Sequence, residues 1–386
     1  MTTTGKFLAM GLMLALFVSA SCSRSSEAIH IGAALATTGP AAMLGTPEKN
    51  SVEMLVKEIN GSGGIGGVPL KVICYDTEGD PTKTVMVVKK LINKDNVVAI
   101  VGPTTSGTTL AVMDLVEQAG VPLVSCASSR KIVQPLLSNV FKVTHSDSLV
   151  VEKIYDKLRK DGNRKVALLT VSDGFGSSGR EALLEMAGRY GIEVIADERF
   201  GASDTSMMAQ LTRIKGSGSQ ALICWGTNPG PAIVAKNARQ LGITMPIYNS
   251  HGVASKKFIE LAGKDAEGIM LPVGKVLIAD QLPDSDPQKP VLMKYREDYQ
   301  KAYNEPANTF GGHGYDAVRL LAAALEEMDK LGVKVNREGV RSRLDKTASL
   351  PGIGGVYNLS SDDHNGLTID GLVMVRIEEG AWKIIE

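Results

Sequence analysis

The sequence predicts an α/β protein of two lobes, each built on a parallel sheet covered by helices on both faces. Three observations carry that expectation. Short apolar runs alternate with stretches of helical periodicity. The alternation occurs as two successive series, before and after residue 147, which implies two similar units. The chain has 386 residues, more than one hydrophobic core usually serves.

The first series opens with a strand at 29–36 and the turn Thr37-Thr38-Gly39-Pro40. A helix follows at 49–60, with Val52, Leu55, Val56 and Ile59 on one face. A glycine-rich turn at 61–67 leads to a strand at 70–76. Pro81 marks a helix start, continued by 82–94, because proline is tolerated where the first amide has no intrahelical partner. A strand at 97–101, a helix at 108–119 and a strand at 122–126 complete the series. The second series reads as helix 148–161, strand 165–171, helix 179–190, strand 193–199, helix 207–215, strand 221–225, helix 232–241 and strand 247–249. Apolar strands that alternate with helices pair in parallel and are buried on both sides. Ligands of such sheets bind beyond the carboxyl ends of the strands, so the loops there are where chemistry is expected.

The N-terminus predicts export. Lys6 precedes an apolar stretch at 7–20, too short to span a bilayer as a helix, which needs ~20 residues. It has the form of a signal-peptide core, and residues 1–21 are read as that peptide. Two processing routes stay open: cleavage after Val18-Ser19-Ala20, or lipidation of Cys22 as the mature N-terminus. The second would tether a soluble domain to a membrane surface. Charge is balanced, 42 basic against 42 acidic residues, with no basic stripe, which argues against nucleic acid as a partner. Cys74, Cys126 and Cys224 lie in or at the ends of apolar runs, without metal-ligand spacing. Buried free thiols are expected there; a Cys74–Cys126 disulfide is the alternative.

Two glycine-rich loops invite a nucleotide reading. Gly102-Pro-Thr-Thr-Ser-Gly-Thr-Thr109 has the glycine spacing of a phosphate loop, but Thr108 replaces the lysine that would neutralise a polyphosphate. Ser106, Thr108 and Thr109 still offer hydroxyls, and a helix start favours an anion such as a carboxylate; a plain helix cap is the competing account. Gly174-Phe-Gly176-Ser-Ser-Gly179, with Asp197 and Glu198 about twenty residues on, meets the letter of a dinucleotide fingerprint. Export would remove it from that cofactor pool, and Ser172 and Asp173 lengthen its loop. No cofactor is therefore expected. No HExxH or GxSxG occurs, and the five histidines are scattered, so no catalytic centre is expected either. His251 and His313 lie in glycine-flanked segments expected to be cleft-lining loops.

Several segments in order resemble the periplasmic binding proteins for branched-chain amino acids and related ligands. They are Thr38-Gly39-Pro40, Glu58-Ile-Asn-Gly-Ser-Gly-Gly-Ile-Gly-Gly67, Tyr75-Asp76 with Asp80-Pro81, Ile100-Val-Gly-Pro103, Gly120-Val-Pro122 and the loop from Ser125 to Ser129. The resemblance implies the type I periplasmic-binding-protein fold: two Rossmann-like lobes joined by three hinge crossovers, with the ligand between them. One lobe would comprise 29–146 and 276–352, the other 147–275 and 353–386. It also implies a monomeric binding component that delivers its solute to an ABC permease and ATPase. A sensory receptor and an exported hydrolase are the competing classes.

Carried over residue by residue, the resemblance places Ser106 and Ser129 on the ligand carboxylate, with the Ala127 backbone and Ser128 on the same wall. Leu44 and, across the cleft, Phe175 would pack on the ligand, and Thr227 would sit on a closing loop. His251 departs from the pattern: amino-acid binders usually carry an acid there for the ligand ammonium. A buried ammonium without a partner would cost several kcal/mol. The segments Ser250-His251-Gly252, Val276-Leu-Ile-Ala-Asp-Gln-Leu-Pro283 and Phe310-Gly-Gly-His313 resemble a branch that binds aromatic or 2-oxo carboxylic acids. In such a ligand His251 would donate to a keto or carboxylate oxygen.

Overall fold

The computed structural model describes residues 28–385, together with the first two residues. The apolar N-terminal stretch and Cys22 lie outside the described residues. Strands β1 (Ile29–Leu35), β2 (Leu70–Asp76), β3 (Ile100–Val101), β4 (Leu123–Ser125) and β5 (Val140–Lys142) form one sheet in the order β2-β1-β3-β4-β5, all parallel. A second sheet begins with β6 (Lys165–Val171), β7 (Glu193–Phe200), β8 (Ala221–Trp225), β9 (Ile247–Asn249) and β10 (Met270–Gly274). Its order β7-β6-β8-β9-β10 repeats that of the first. After a short hairpin of β11 (Leu350–Pro351) and β12 (Val356–Tyr357), the antiparallel strands β13 (Leu372–Glu378) and β14 (Ala381–Ile384) extend the second sheet beyond β10.

The repeat fixes where a ligand can sit. In each sheet the strand order reverses beside the first strand, between β1 and β3 and between β6 and β8, and such a switch opens a crevice at the carboxyl ends. The central strands are apolar throughout: Val166, Ala167, Leu168, Leu169, Leu222, Ile223 and Cys224 are fully buried. Cys74, Cys126 and Cys224 are free, so the disulfide alternative falls.

Several elements differ from expectation for identifiable reasons. The first helix runs Ala42–Gly61, starting about two turns before the expected residue 49, with Pro47 inside its first turns. The helix expected at 108–119 divides into Ser106–Leu110 and Met113–Gln118. The helix expected at 179–190 begins at Gly174, because the Asp173 side chain accepts the Gly176 amide at 2.8 Å and caps it. The three glycines of the dinucleotide-like motif therefore lie within helical turns. A Cβ on Gly176 would fall 1.8 Å from the Val171 carbonyl oxygen, and one on Gly179 would fall 2.1 Å from the Trp225 ring. They serve close helix–strand packing. His313 likewise lies in a helix, Thr309–Lys330, capped by Asn308 on the Gly311 amide.

The chain first passes between lobes at 143–146 and again after β10. Residues 353–366 still bond to first-lobe elements, beyond the expected boundary after 352. The Ile353 and Gly354 amides donate to Asp316 at 2.7 Å, and His364 stacks on Phe141 with ring centroids 4.0 Å apart. The chain enters the second sheet only at Leu372.

Candidate functional site

A cleft of about 570 Å³ opens between the lobes, in the size range of small-molecule sites. Its walls come from the strand ends the topology singles out. Leu44 follows β1, Thr104 to Thr108 follow β3, and Ala127 and Ser128 follow β4. Asp173 to Phe175 follow β6, Thr227 to Pro229 follow β8, and His251 follows β9. Leu44, Ser106, Ala127, Ser128, Phe175, Thr227 and His251 thus meet in one cavity.

Ser129 does not line it. Its hydroxyl donates to Ser178 at 2.7 Å and accepts the Lys131 amide at 3.2 Å, so it joins the lobes behind the cleft instead of meeting a ligand. Ser129, expected on the ligand carboxylate, is thus not among the residues that line the cavity. The Ala127 backbone is also engaged internally: its amide donates to Ser125 and its carbonyl accepts from Thr144. Ser106 is better placed. Its oxygen accepts the Ser129 amide at 3.2 Å, which leaves its own proton for a ligand. Thr105 closes a capping box with Thr108, so the phosphate-loop-like segment works locally as a helix cap.

The opposite wall is aromatic. Phe175 and Trp225 lie 5.7 Å apart, and both meet the His251 ring edge-on, at 5.6 and 6.2 Å. His251 reaches across the cleft: its Nε2 lies 2.8 Å from the Ser128 hydroxyl, while its Nδ1 has no protein partner. Burial holds the ring neutral, with a pKa well below the usual histidine value. In the neutral ring one nitrogen accepts and the other donates.

The carboxyl groups around the cavity are otherwise engaged. Glu78 pairs with Lys83, and Asp80 and Asp173 cap helices. Glu48 is held neutral by burial, and Thr104 donates to its Oε2 at 2.5 Å. Behind the cavity lies a buried pair. The Lys142 ammonium donates to the Ser128 and Ser129 carbonyls at 2.7 and 3.4 Å, and its pKa falls to about 7 through burial. Burial raises Asp147 to about 6, and it accepts from Ser178 at 2.5 Å and from the Arg130 amide at 3.3 Å. At one edge of the cleft Arg130 and Lys131 of the first lobe pair with Glu185 and Glu181 of the helix Gly174–Ala187. Sequence reasoning missed Glu48, and missed that Lys142, Ser178 and Asp147 connect through the Ser128–Ser129 segment. The lone signal was Ser178 inside the glycine motif.

Two parallel-sheet lobes closed over a cavity of hydroxyls, neutral histidines and aromatic rings define a solute-binding protein. Among the described residues no cluster is suited to a metal and no helix is long and apolar enough to cross a membrane. A periplasmic binding protein family model matches residues 28–381, and the chain belongs to that family. It has the type I fold of solute-binding proteins of transporters and is not an enzyme. The leucine-, isoleucine-, valine-, threonine- and alanine-binding protein of Pseudomonas aeruginosa is 26% identical over 333 residues, 85% of this chain and 86% of that one. An extracellular ligand-binding receptor from Rhodopseudomonas palustris HaA2 superposes with a TM-score of 0.87 at 27% identity, over 93% of this chain and 99% of that one. The branched-chain amino acid transporter substrate-binding protein LivJ from Streptococcus pneumoniae, solved with isoleucine, gives 0.81 at 27% identity, over 93% and 98%.

Proposed function

We propose that this protein is the substrate-binding component of an ABC importer, which traps an aromatic or 2-oxo carboxylic acid between its lobes and delivers it to a membrane permease and its ATPase. It works outside the cytoplasm, free or anchored through Cys22. The observation that carries the ligand class is His251, neutral and set among Phe175, Trp225 and Ser128. A ligand ammonium at that wall would meet a ring without charge and the Phe175 ring, with Trp225 packed behind them. An aryl or alkyl group with a keto oxygen meets apolar surface and one neutral hydrogen-bond partner. The ligand carboxylate belongs on the other wall, at Ser106. Hydrogen bonds to a charged group contribute ~1.5–3 kcal/mol each.

Relatives named for leucine, isoleucine and valine favour a second reading, an amino-acid binder in which another acid meets the ammonium. A thermal-shift screen of the mature protein against amino acids, 2-oxo acids and aromatic acids separates the two, since binding to the native state raises the Tm by mass action. Stabilisation by the acids, with no response to leucine, supports the proposal. Tight leucine binding without a response to phenylpyruvate sinks it.

A further inference from the structure

Two further polar groups of the first lobe line the same cavity as His251. Glu48, on the helix Ala42–Gly61, and His313, on the helix Thr309–Lys330, both line the cavity, and neither residue exposes as much as a tenth of its surface. The two helices pack so closely that a Cβ on Gly314 would fall 2.4 Å from the Glu48 carbonyl oxygen. The carboxyl and the imidazole thus stand on adjoining helices, and both residues line the cavity. The hydrogen bonding fixes how the acid is used. The Thr104 hydroxyl accepts the Ala36 amide at 3.0 Å, so its proton is directed to Glu48 Oε2, 2.5 Å away. This leaves Oε1 as the atom that carries the acid's own proton. No protein group among the described residues bonds to Oε1, and His313 Nδ1 likewise has no partner.

A structural role accounts for one oxygen of Glu48 and for no ring nitrogen of His313. Buried polar groups are normally paired, and a pair left open on a cavity wall awaits a ligand atom. Burial pushes both groups toward their uncharged forms, raising the carboxyl well above its usual value and lowering the imidazole to about 3. A ligand ammonium or second carboxylate would find no counter-charge here. An uncharged oxygen that can accept from a carboxylic acid O–H fits.

We infer that Glu48 and His313 form a recognition subsite for a second, uncharged oxygen of the ligand, a hydroxyl or a keto group, so that this protein selects oxygen-substituted carboxylic acids over their unsubstituted counterparts. The inference rests on the carboxylic-acid reading above and adds the group that sets selectivity within that class. A site built to hydrogen-bond an oxygen rejects the analogue that lacks it, because its own polar groups are then left unpaired.

The test is calorimetric titration of the mature protein with matched pairs: phenylpyruvate against 3-phenylpropanoate, and 4-hydroxybenzoate against benzoate. The wild type should prefer the oxygenated member of at least one pair by about tenfold or more. Glu48→Leu should lower that preference to near unity while the unsubstituted acid binds as before. Glu48→Gln, which keeps an N–H donor, should restore part of it. His313→Leu gives an independent reading if Glu48→Leu does not melt cooperatively. Equal affinities within both pairs, or variants that weaken both members alike, overturn the subsite and leave the carboxylic-acid reading standing. No binding by any of the four acids, with leucine bound, overturns both.

Discussion

The lobes touch where two glycines meet, and this contact offers a direct test of whether closure holds the ligand. Gly174 begins the helix after β6, and Gly107 lies in the short helix after β3. A Cβ at Gly174 would lie 2.8 Å from the Gly107 nitrogen and 3.0 Å from its Cα, whereas ordinary contact begins at 3.4 Å. Gly174→Ala should therefore hold the lobes a few tenths of an ångström apart. Gly174 has no positive φ, and alanine is the better helix former, so the second lobe itself should lose no stability. Overpacking of this kind costs about 1–3 kcal/mol. The cost falls on the closed state alone, so affinity should drop by between about fivefold and about a hundredfold. Calorimetric titration with the acid found by the screen measures the drop, and small-angle scattering measures the compaction that ligand induces. Gly188→Ala on the same lobe, with open space around its Cβ position, is the control and should bind like the wild type. Wild-type affinity in Gly174→Ala would refute the idea that this closed contact is the ligand-bound geometry.

Three further outcomes follow from the same contacts. Ser178→Ala removes the hydroxyl that links Ser129 of one lobe to Asp147 of the other; ligand affinity should fall by roughly fivefold, in line with a net hydrogen bond of about 1 kcal/mol, by titration calorimetry. Asp316→Asn replaces the buried acceptor of the Ile353 and Gly354 amides; urea denaturation at about pH 7.5, where a carboxyl raised by burial to about 6 is ionised, should show a loss of about 2–4 kcal/mol, and an unchanged midpoint would count against its role as the anchor of that segment. His145 is buried without a partner at Nε2, and burial lowers its pKa from 6.5 to about 3. Its neutral form is the folded form, so this contribution is intact above pH 6.5 and lost as pH falls toward 3. His145→Gln should make stability fall less steeply across that window, by about 1.4 kcal/mol per pH unit, and parallel curves for variant and wild type would contradict the assignment.

The sequence showed the architecture well because both its signals are local. Apolar runs such as 165–171 and 221–225 coincide with β6 and β8, since a buried parallel strand has no polar face to obscure it. β5 escaped notice: it is three residues long and carries Lys142, a residue type ordinarily found at the surface, whose ammonium here holds two carbonyls inside the protein. The glycine motif at 174–179 misled for a related reason. Glycines that admit a phosphate and glycines that admit Trp225 and the Val171 carbonyl look alike in one dimension. Glu48 had no sequence signature either, because it stands in a helix pattern where a glutamate ordinarily faces water.

These gaps share a cause, and the cause bears on function. Glu48, Lys142, Asp147, His251 and His313 are polar groups buried at or behind the cleft, and burial pushes each toward its uncharged form. A cavity furnished this way has little field with which to hold a zwitterion, but it has many directional partners for oxygen. A binding protein must release its cargo when the lobes part. Neutral hydrogen bonds are readily replaced by water when the cavity opens, whereas a desolvated ion pair would hold the ligand more strongly to one lobe. The dominance of neutral groups thus suits a trap whose grip depends on closure, and it is why the Gly107–Gly174 contact should govern affinity as strongly as a residue that touches the ligand.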